Sequence, residues 1–243
     1  MSLFGVEGRV AVVTGASSGI GAHLARALAD HGARVVAVAR RREAIETLGD
    51  GVHAHAADLA AVTGWEALAA DLSAPFGPPS LVLHAAGVNL RQPPDGITDE
   101  GWNLTLDLNL KVPFFLSRAL LPGLRGGGRI VTFASLQSSR AFPNSIPYGA
   151  SKGGVAQLTR AMAEAWGPLG VNANALAPGF FPTELTGPVF SDPARAAANA
   201  AQTCLGRNGA LDDLTGPALF LCSDASRYVT GQVIHVDGGF TAK

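Results

Sequence analysis

Apolar runs of strand length alternate with longer amphipathic stretches along almost the whole chain, and this alternation leaves few architectures open. Val10–Thr14, Arg34–Ala39, Val52–Ala56, Leu81–His84, Arg129–Ala134, Val171–Ala175 and Val233–Val236 read as strands. Most are continuous and rich in Val, Ile or Ala, as strands covered on both faces are. Between them lie helical patterns at Ile20–His31, Trp65–Ala74, Glu100–Leu121, Tyr148–Trp166 and Leu211–Ser223. Such alternation predicts right-handed crossovers and one parallel sheet of about seven strands with helices on both faces. No repeat, low-complexity tract or linker divides the chain, so residues 1–243 are expected to form a single domain.

Composition narrows the function classes. Apolar residues make up 47% and charged residues 15%, ample for a core and unlike a disordered chain. A net charge of −1 and the lack of a long basic run argue against nucleic acid or a membrane surface as partner. Cys204 and Cys222 sit in no CxxC pattern and are expected to be free thiols. The opening Met1-Ser2-Leu3-Phe4-Gly5 has no basic segment followed by a long apolar one, and no run approaches a membrane span. The expectation is a soluble, cytoplasmic protein with no metal site.

The turn between the first strand and first helix reads Thr14-Gly15-Ala16-Ser17-Ser18-Gly19-Ile20-Gly21. Gly15 allows a tight turn, Gly19 lets a pyrophosphate approach the backbone, and Gly21 permits close packing of helix on strand. The free N–H groups of the helix start then favour phosphate charge. Placed between a buried strand and an amphipathic helix, this segment predicts dinucleotide binding by a Rossmann-type, doubly wound fold. The second strand ends in Arg40-Arg41-Arg42, where an NAD site commonly carries an acidic residue. Arg40 is the candidate contact for a 2′-phosphate, with Arg41 in support. NADP is therefore expected and NAD is the alternative. Three solvated arginines at the start of a helix are the competing reading.

Tyr148 and Lys152, four apart in Pro147-Tyr148-Gly149-Ala150-Ser151-Lys152, share one helix face. A tyrosine with an ordinary pKa near ~10 is a poor acid/base at neutrality, and a neighbouring ammonium would lower that pKa. Ser135 follows the strand Arg129–Ala134, at the carboxyl edge where open sheets bind ligands; otherwise it caps a polar turn. Asn109 sits among apolar residues, so its amide must bond to backbone, water or a partner; bending the helix is its simpler role.

The combination Thr14-Gly15-x3-Gly19-x-Gly21, Asn109, Ser135 and Tyr148-x3-Lys152 resembles the short-chain dehydrogenase/reductase family in its single-domain form. Asp58-Leu59, Ala86-Gly87, Pro178-Gly179 and Val236-Asp237-Gly238-Gly239 extend the likeness over nearly the whole chain. The resemblance implies Tyr148 as proton donor and acceptor, Lys152 on the nicotinamide ribose, Ser135 orienting the substrate oxygen and Asn109 positioning a water. It further implies cofactor contacts from Gly15, Ser17, Ser18, Gly19, Ile20 and Gly21. Asp58 and Leu59 would lie at the adenine, Ala86 and Gly87 at the adenosine ribose, and Pro178, Gly179, Phe181 and Thr183 at the carboxamide end. A homotetramer is also implied, its contacts made by the helices holding Asn109 and Tyr148, with Gly149, Ala150, Gly153 and Gly154 suited to close approach. His84 stands where the family usually has Asn, and it reads as a satisfied core histidine.

The phrases Ala134-Ser135-Leu136-Gln137-Ser138 and Gly179-Phe180-Phe181-Pro182-Thr183-Glu184-Leu185-Thr186 are similar to those of gluconate 5-dehydrogenases, which interconvert gluconate and 5-ketogluconate. Arg91 would pair with a substrate carboxylate, and Gln137 and Asn144 would bond to sugar hydroxyls; each also reads as an ordinary loop residue. A segment around 180–205 is expected to cover the substrate. The alternatives are a broad carbonyl or 3-oxoacyl-carrier-protein reductase and, in another class, a non-catalytic dinucleotide-binding regulator.

Overall fold

The computed structural model describes residues 3–243; Met1 and Ser2, the start of the stretch read above for a leader, lie outside it. Seven strands form the sheet: β1 (Val10–Thr14), β2 (Arg34–Ala39), β3 (Val52–Ala56), β4 (Leu81–His84), β5 (Arg129–Phe133), β6 (Asn172–Pro178) and β7 (Val233–Val236). All neighbours are parallel, in the order β3-β2-β1-β4-β5-β6-β7, so the chain reverses direction across the sheet between β1 and β4. Ligand crevices form at such a point, outside the carboxyl ends of the strands.

The helices are α1 (Gly19–Asp30), α2 (Arg42–Glu46), α3 (Trp65–Ser73), α4 (Asp99–Leu106), α5 (Val112–Leu124), α6 (Ile146–Trp166), α7 (Gly187–Phe190), α8 (Pro193–Gln202) and α9 (Thr215–Cys222). Side chains of β1 alternate between two cores: Ala11 and Val13 pack with Leu24 and Leu28 of α1 and Leu221 of α9, whereas Val12 packs with Leu116 of α5 and Met162 of α6. With both faces covered, the strand is apolar from Val10 to Val13 and meets a polar side chain only at its last residue, Thr14. Leu28 is almost fully buried, and truncating such a side chain to Ala costs about 2–5 kcal/mol.

The expected helix Glu100–Leu121 is instead α4, a π-helical turn at Asp107–Lys111, and α5. Pro113 explains the break. It has no N–H to donate to the carbonyl four residues back, that of Asn109, and its ring crowds that carbonyl. The ladder widens just ahead of it, with Val112 N–H reaching Asp107 O. The strand expected at Val171–Ala175 runs three residues further, carrying Pro178 to the carboxyl edge.

Two guanidinium groups lock the opposite, amino edge. Arg9 donates to Cys222 O (2.7 Å), Gly127 O (2.8 Å) and Ser80 Oγ (3.2 Å). Arg129, buried, donates to Gly127 O (2.8 Å) and Gly128 O (3.1 Å) and meets Asp224 at 3.3 Å. Among the described residues no helix is long and apolar enough to cross a membrane, and no group of three or more His, Cys, Asp or Glu could hold a metal ion.

Candidate active site

The carboxyl ends of β1, β4 and β5 open onto a cavity of about 770 Å³. Its floor begins at the Gly-rich turn. Gly15 holds φ +70°, and a Cβ there would sit 2.6 Å from Ala86 N; a Cβ on Gly21 would sit 2.3 Å from Gly15 O. Only glycine fits either position. Thr14 Oγ1 accepts from Ala86 N–H at 3.2 Å, fastening the β1 turn to the β4 loop. Gly15, Ser17, Ser18, Gly19, Ile20, Gly21, Asp58, Leu59, Ala86, Gly87, Pro178 and Thr183 all line this cavity, as do Tyr148 and Lys152. A crevice walled by a Gly-rich turn, closed to any Cβ and lying at the start of α1, fits a dinucleotide.

Two of the expected cofactor residues line the adjoining cavity and not this one. Phe181 packs in the core, its ring filling the space over Gly209, where a Cβ would lie 2.5 Å from the ring. Gly179 lines the adjoining cavity too, its N–H paired with Val236 O at 2.9 Å and its Cα packed on Asp237. Arg40 lines the cofactor cavity but makes no side-chain hydrogen bond among the described residues. Arg41 is the arginine that engages, donating to Ser17 Oγ at 3.1 Å and to Glu184. Asp58 is exposed and caps the turn after β3 by accepting from Ala60 N–H at 3.1 Å.

A second cavity of about 490 Å³ adjoins the first. Asn89, Arg91, Tyr148, Thr183 and Leu185 line both, so Tyr148 stands where the two meet. Ser135, Gln137 and Asn144 line the second cavity. Asn144 and Arg91 both adopt left-handed backbone, with φ of +56° and +52°, at the rim. Arg195 of α8, and Asn199 one turn on, close it from the other side.

Tyr148 and Lys152 are both buried, at the start of α6. Lys152 Nζ donates to Phe133 O at 2.7 Å and lies 5.6 Å from the centre of the Tyr148 ring. Burial lowers Lys152 to about 8. The expected lowering of Tyr148 by this ammonium is not found in the free chain. Burial raises the phenol above its ordinary value, and the opposing influences are a hydrogen bond with Ser135 and the charge of Arg91. With its charge directed at the Phe133 carbonyl, Lys152 leaves desolvation to dominate. Ser135 caps the turn after β5, its Oγ accepting from Gln137 N–H at 3.1 Å, and it lines the second cavity beside Tyr148.

Asn109 is buried and fully engaged. Its Oδ1 accepts from Val88 N–H at 2.8 Å, and Nδ2 donates to Val88 O at 2.9 Å and to Ser151 Oγ at 3.0 Å. It thereby pins the β4 loop to α6, across from Lys152. His84 is only half satisfied: Nε2 meets Ser117 Oγ at 2.7 Å, while Nδ1 has no partner among the described residues. Of the small residues expected at a subunit contact, Gly154 serves its own chain, since a Cβ there would strike Leu110 at 2.8 Å. Sequence reasoning missed Asn89, Glu184 and Arg195. Glu184 was visible only as a neighbour of Thr183, and no spacing ties Arg195 to the rest.

A family model described as enoyl-(acyl carrier protein) reductase matches residues 15–241. Gluconate 5-dehydrogenase of Gluconobacter oxydans is 38% identical over 248 residues, covering 98% of this chain and 97% of the relative. The crystal structure of a gluconate 5-dehydrogenase from Burkholderia cenocepacia, in complex with NADP and tartrate, superposes with a TM-score of 0.93 at 36% identity, covering 99% of this chain and 98% of that one. A structure from Beutenbergia cavernae, provisionally assigned as an NAD(P)-dependent gluconate 5-dehydrogenase with NADP bound at low occupancy, gives 0.93 at 40% identity, with all of both chains covered. Fold, site and relatives define an NAD(P)-dependent oxidoreductase, which sets the regulator reading aside. The chain belongs to the short-chain dehydrogenase/reductase family.

Proposed function

We propose that this enzyme is an NADP-preferring oxidoreductase that interconverts a polyhydroxy acid and its keto acid, gluconate and 5-ketogluconate being the first pair to try. One observation carries the reading: Tyr148 stands at the junction of a dinucleotide-sized crevice and a smaller, largely apolar cavity in whose wall Arg91, Gln137 and Asn144 supply the polar groups. The Gluconobacter and Burkholderia relatives are gluconate 5-dehydrogenases, and the latter was crystallised with tartrate, itself a hydroxy acid.

Gly15, Ser17, Ser18, Gly19, Ile20 and Gly21 would hold the pyrophosphate. Asp58 and Leu59 would hold the adenine, Ala86 and Gly87 its ribose, Arg41 with Arg40 the 2′-phosphate, and Lys152, Pro178 and Thr183 the nicotinamide end. The bound cofactor supplies or accepts the hydride. In the reducing direction Tyr148 donates its phenolic proton to the carbonyl oxygen, which Ser135 orients. A phenol held above its ordinary pKa is protonated at neutrality and suits this donor role. In the oxidising direction Tyr148 takes the alcohol proton. Asn109 is a positioning residue, and its backbone carbonyl, which Pro113 leaves without a donor four residues on, would hold the relay water. Arg91 forks onto the substrate carboxylate, with Gln137 and Asn144 on its hydroxyls. Residues 180–205 exclude water over the second cavity. The chain works as one domain in the cytoplasm, and the exposed Ile146 and Trp102 on α6 and α4 support assembly as a homotetramer, which light scattering would measure.

The test is loss of reduced-nicotinamide absorbance with NADPH and NADH in parallel, against a panel of ketones that includes 5-ketogluconate. Tyr148→Phe should lose turnover by about 10²–10⁴-fold while binding cofactor as the wild type does. Turnover of neutral ketones only would remove the acid-substrate assignment, and faster NADH oxidation would reverse the cofactor preference.

A further inference from the structure

The crevice assigned to the cofactor is crossed at its mouth by a carboxylate of the chain itself. Glu184, one residue beyond Thr183, accepts from both ends of the Arg41 guanidinium, Nη1 to Oε1 and Nη2 to Oε2, each at 3.0 Å. Its Oε2 also accepts from Ser18 Oγ at 2.9 Å, and Arg41 donates through Nε and Nη2 to Ser17 Oγ at 3.3 and 3.1 Å. All four residues line the cofactor crevice. Arg41, Ser17 and Ser18 thus make an anion seat out of the end of β2 and the Gly-rich turn, and Glu184 fills it.

The pairing has a chemical consequence. Arg41 holds Glu184 below the usual carboxylate range, and Glu184 raises Arg41 in turn. A carboxylate and a phosphate monoester meet guanidinium through the same fork, but the monoester carries nearly twice the charge and a third acceptor oxygen. The ion pair is also exposed on both sides, and exposed pairs are weak. A weak internal anion on a fork suited to phosphate is a displaceable occupant.

We propose that Glu184 is a determinant of cofactor specificity: it occupies the Arg41–Ser17 seat in the free enzyme and yields it to the 2′-phosphate of NADP. The tie between the segment after Thr183 and the Gly-rich turn then opens for the phosphorylated cofactor and persists with NAD. This rests on the reading that Arg41 meets the 2′-phosphate, and the experiment separates the two.

Calorimetric binding of 2′,5′-ADP and of 5′-AMP involves no hydride transfer and isolates the seat. The full-length wild type, Glu184→Gln, Arg41→Gln and the double variant would be compared. Glu184→Gln should bind 2′,5′-ADP about two- to fivefold more tightly, the scale of one exposed ion pair, with 5′-AMP unchanged. In the Arg41→Gln background that gain should vanish, because there is no seat left to contest. An equal gain in both backgrounds would mean simple charge repulsion and would overturn the proposal. Loss of 2′-phosphate discrimination in Arg41→Gln, with no gain in Glu184→Gln, would overturn it while leaving the Arg41 reading intact. Equal binding of both nucleotides by all four proteins would overturn both.

Discussion

The His84 imidazole makes this protein sensitive to acid in a way that can be sized from the structure. The ring is buried at the end of β4, with Ser117 on Nε2 and nothing on Nδ1 among the described residues. Desolvation lowers its pKa to about 3 in the folded chain, against about 6.5 when the chain is unfolded. Below pH ~6.5 the unfolded chain therefore binds a proton that the folded one refuses. The contribution is fully present above the unfolded pKa and is lost as pH falls toward the folded one. At about 1.36 kcal/mol per pH unit, going from pH ~7 to pH ~5 removes about 2 kcal/mol through this group alone. The perturbation is His84→Asn, which keeps a polar side chain that cannot titrate. The smaller residue costs packing, but that cost does not depend on pH. Urea unfolding followed by tryptophan fluorescence, at fixed protein concentration and at pH ~7, ~6 and ~5, gives stability for both proteins. Carboxylate titration is common to the two and cancels in the difference. The gap between them should close by about 2 kcal/mol on acidification. Parallel pH profiles would refute the argument, since they would mean that the buried ring takes up its proton as readily as an exposed one.

The raised phenol of Tyr148 predicts a split between directions: ketone reduction should hold through neutrality, whereas alcohol oxidation, which needs the phenolate, should climb on the alkaline side. Initial rates at saturating cofactor across pH decide it, and identical profiles in both directions would count against Tyr148 as the shared acid and base. Gly21→Ala should destabilise the fold by about 1–3 kcal/mol or more, because its Cβ has no room beside Gly15 O; an unchanged thermal midpoint would contradict the packing described. Arg91→Ala should raise KM for a keto acid by about 10-fold or more while leaving a neutral ketone little affected, as loss of a charge-assisted fork requires. Equal effects on both substrates would reduce Arg91 to a structural rim residue.

Where polar or turn residues flank an apolar run, the ends of the strand could be read from the sequence: β1, β2, β3, β4 and β7 fall on the residues that the runs delimit. β6 could not, because its apolar run continues through Leu176 and Ala177 to Pro178. The long helix through Asn109 could not be read in this way, because its hydrophobic period continues across the π-turn and only Pro113 marks the break. The same limit applies at the site. Tyr148, Lys152 and Ser135 were recoverable, since helix spacing and the end of β5 put them together. The packing of Phe181 was not legible, because no local pattern shows that its ring fills the space above Gly209, 28 residues away in sequence. Arg41 and Glu184 meet across 143 positions, and nothing short of the tertiary structure brings them together.

The clamp made by Arg9 and Arg129 bears on how such a chain can change over generations. It ties the starts of β1 and β5 to the Ser80 and Gly127 turns and to the end of α9, all on the side of the sheet remote from Tyr148. Rigidity is thus concentrated at one rim, and the loops at the other rim can vary in length and chemistry without unfastening the strands beneath them. A laboratory library seeking new substrates should draw its diversity from residues 89–91, 137–144 and 185–199 and leave the arginine rim untouched. Variants built that way should keep their solubility even when they lose their original turnover.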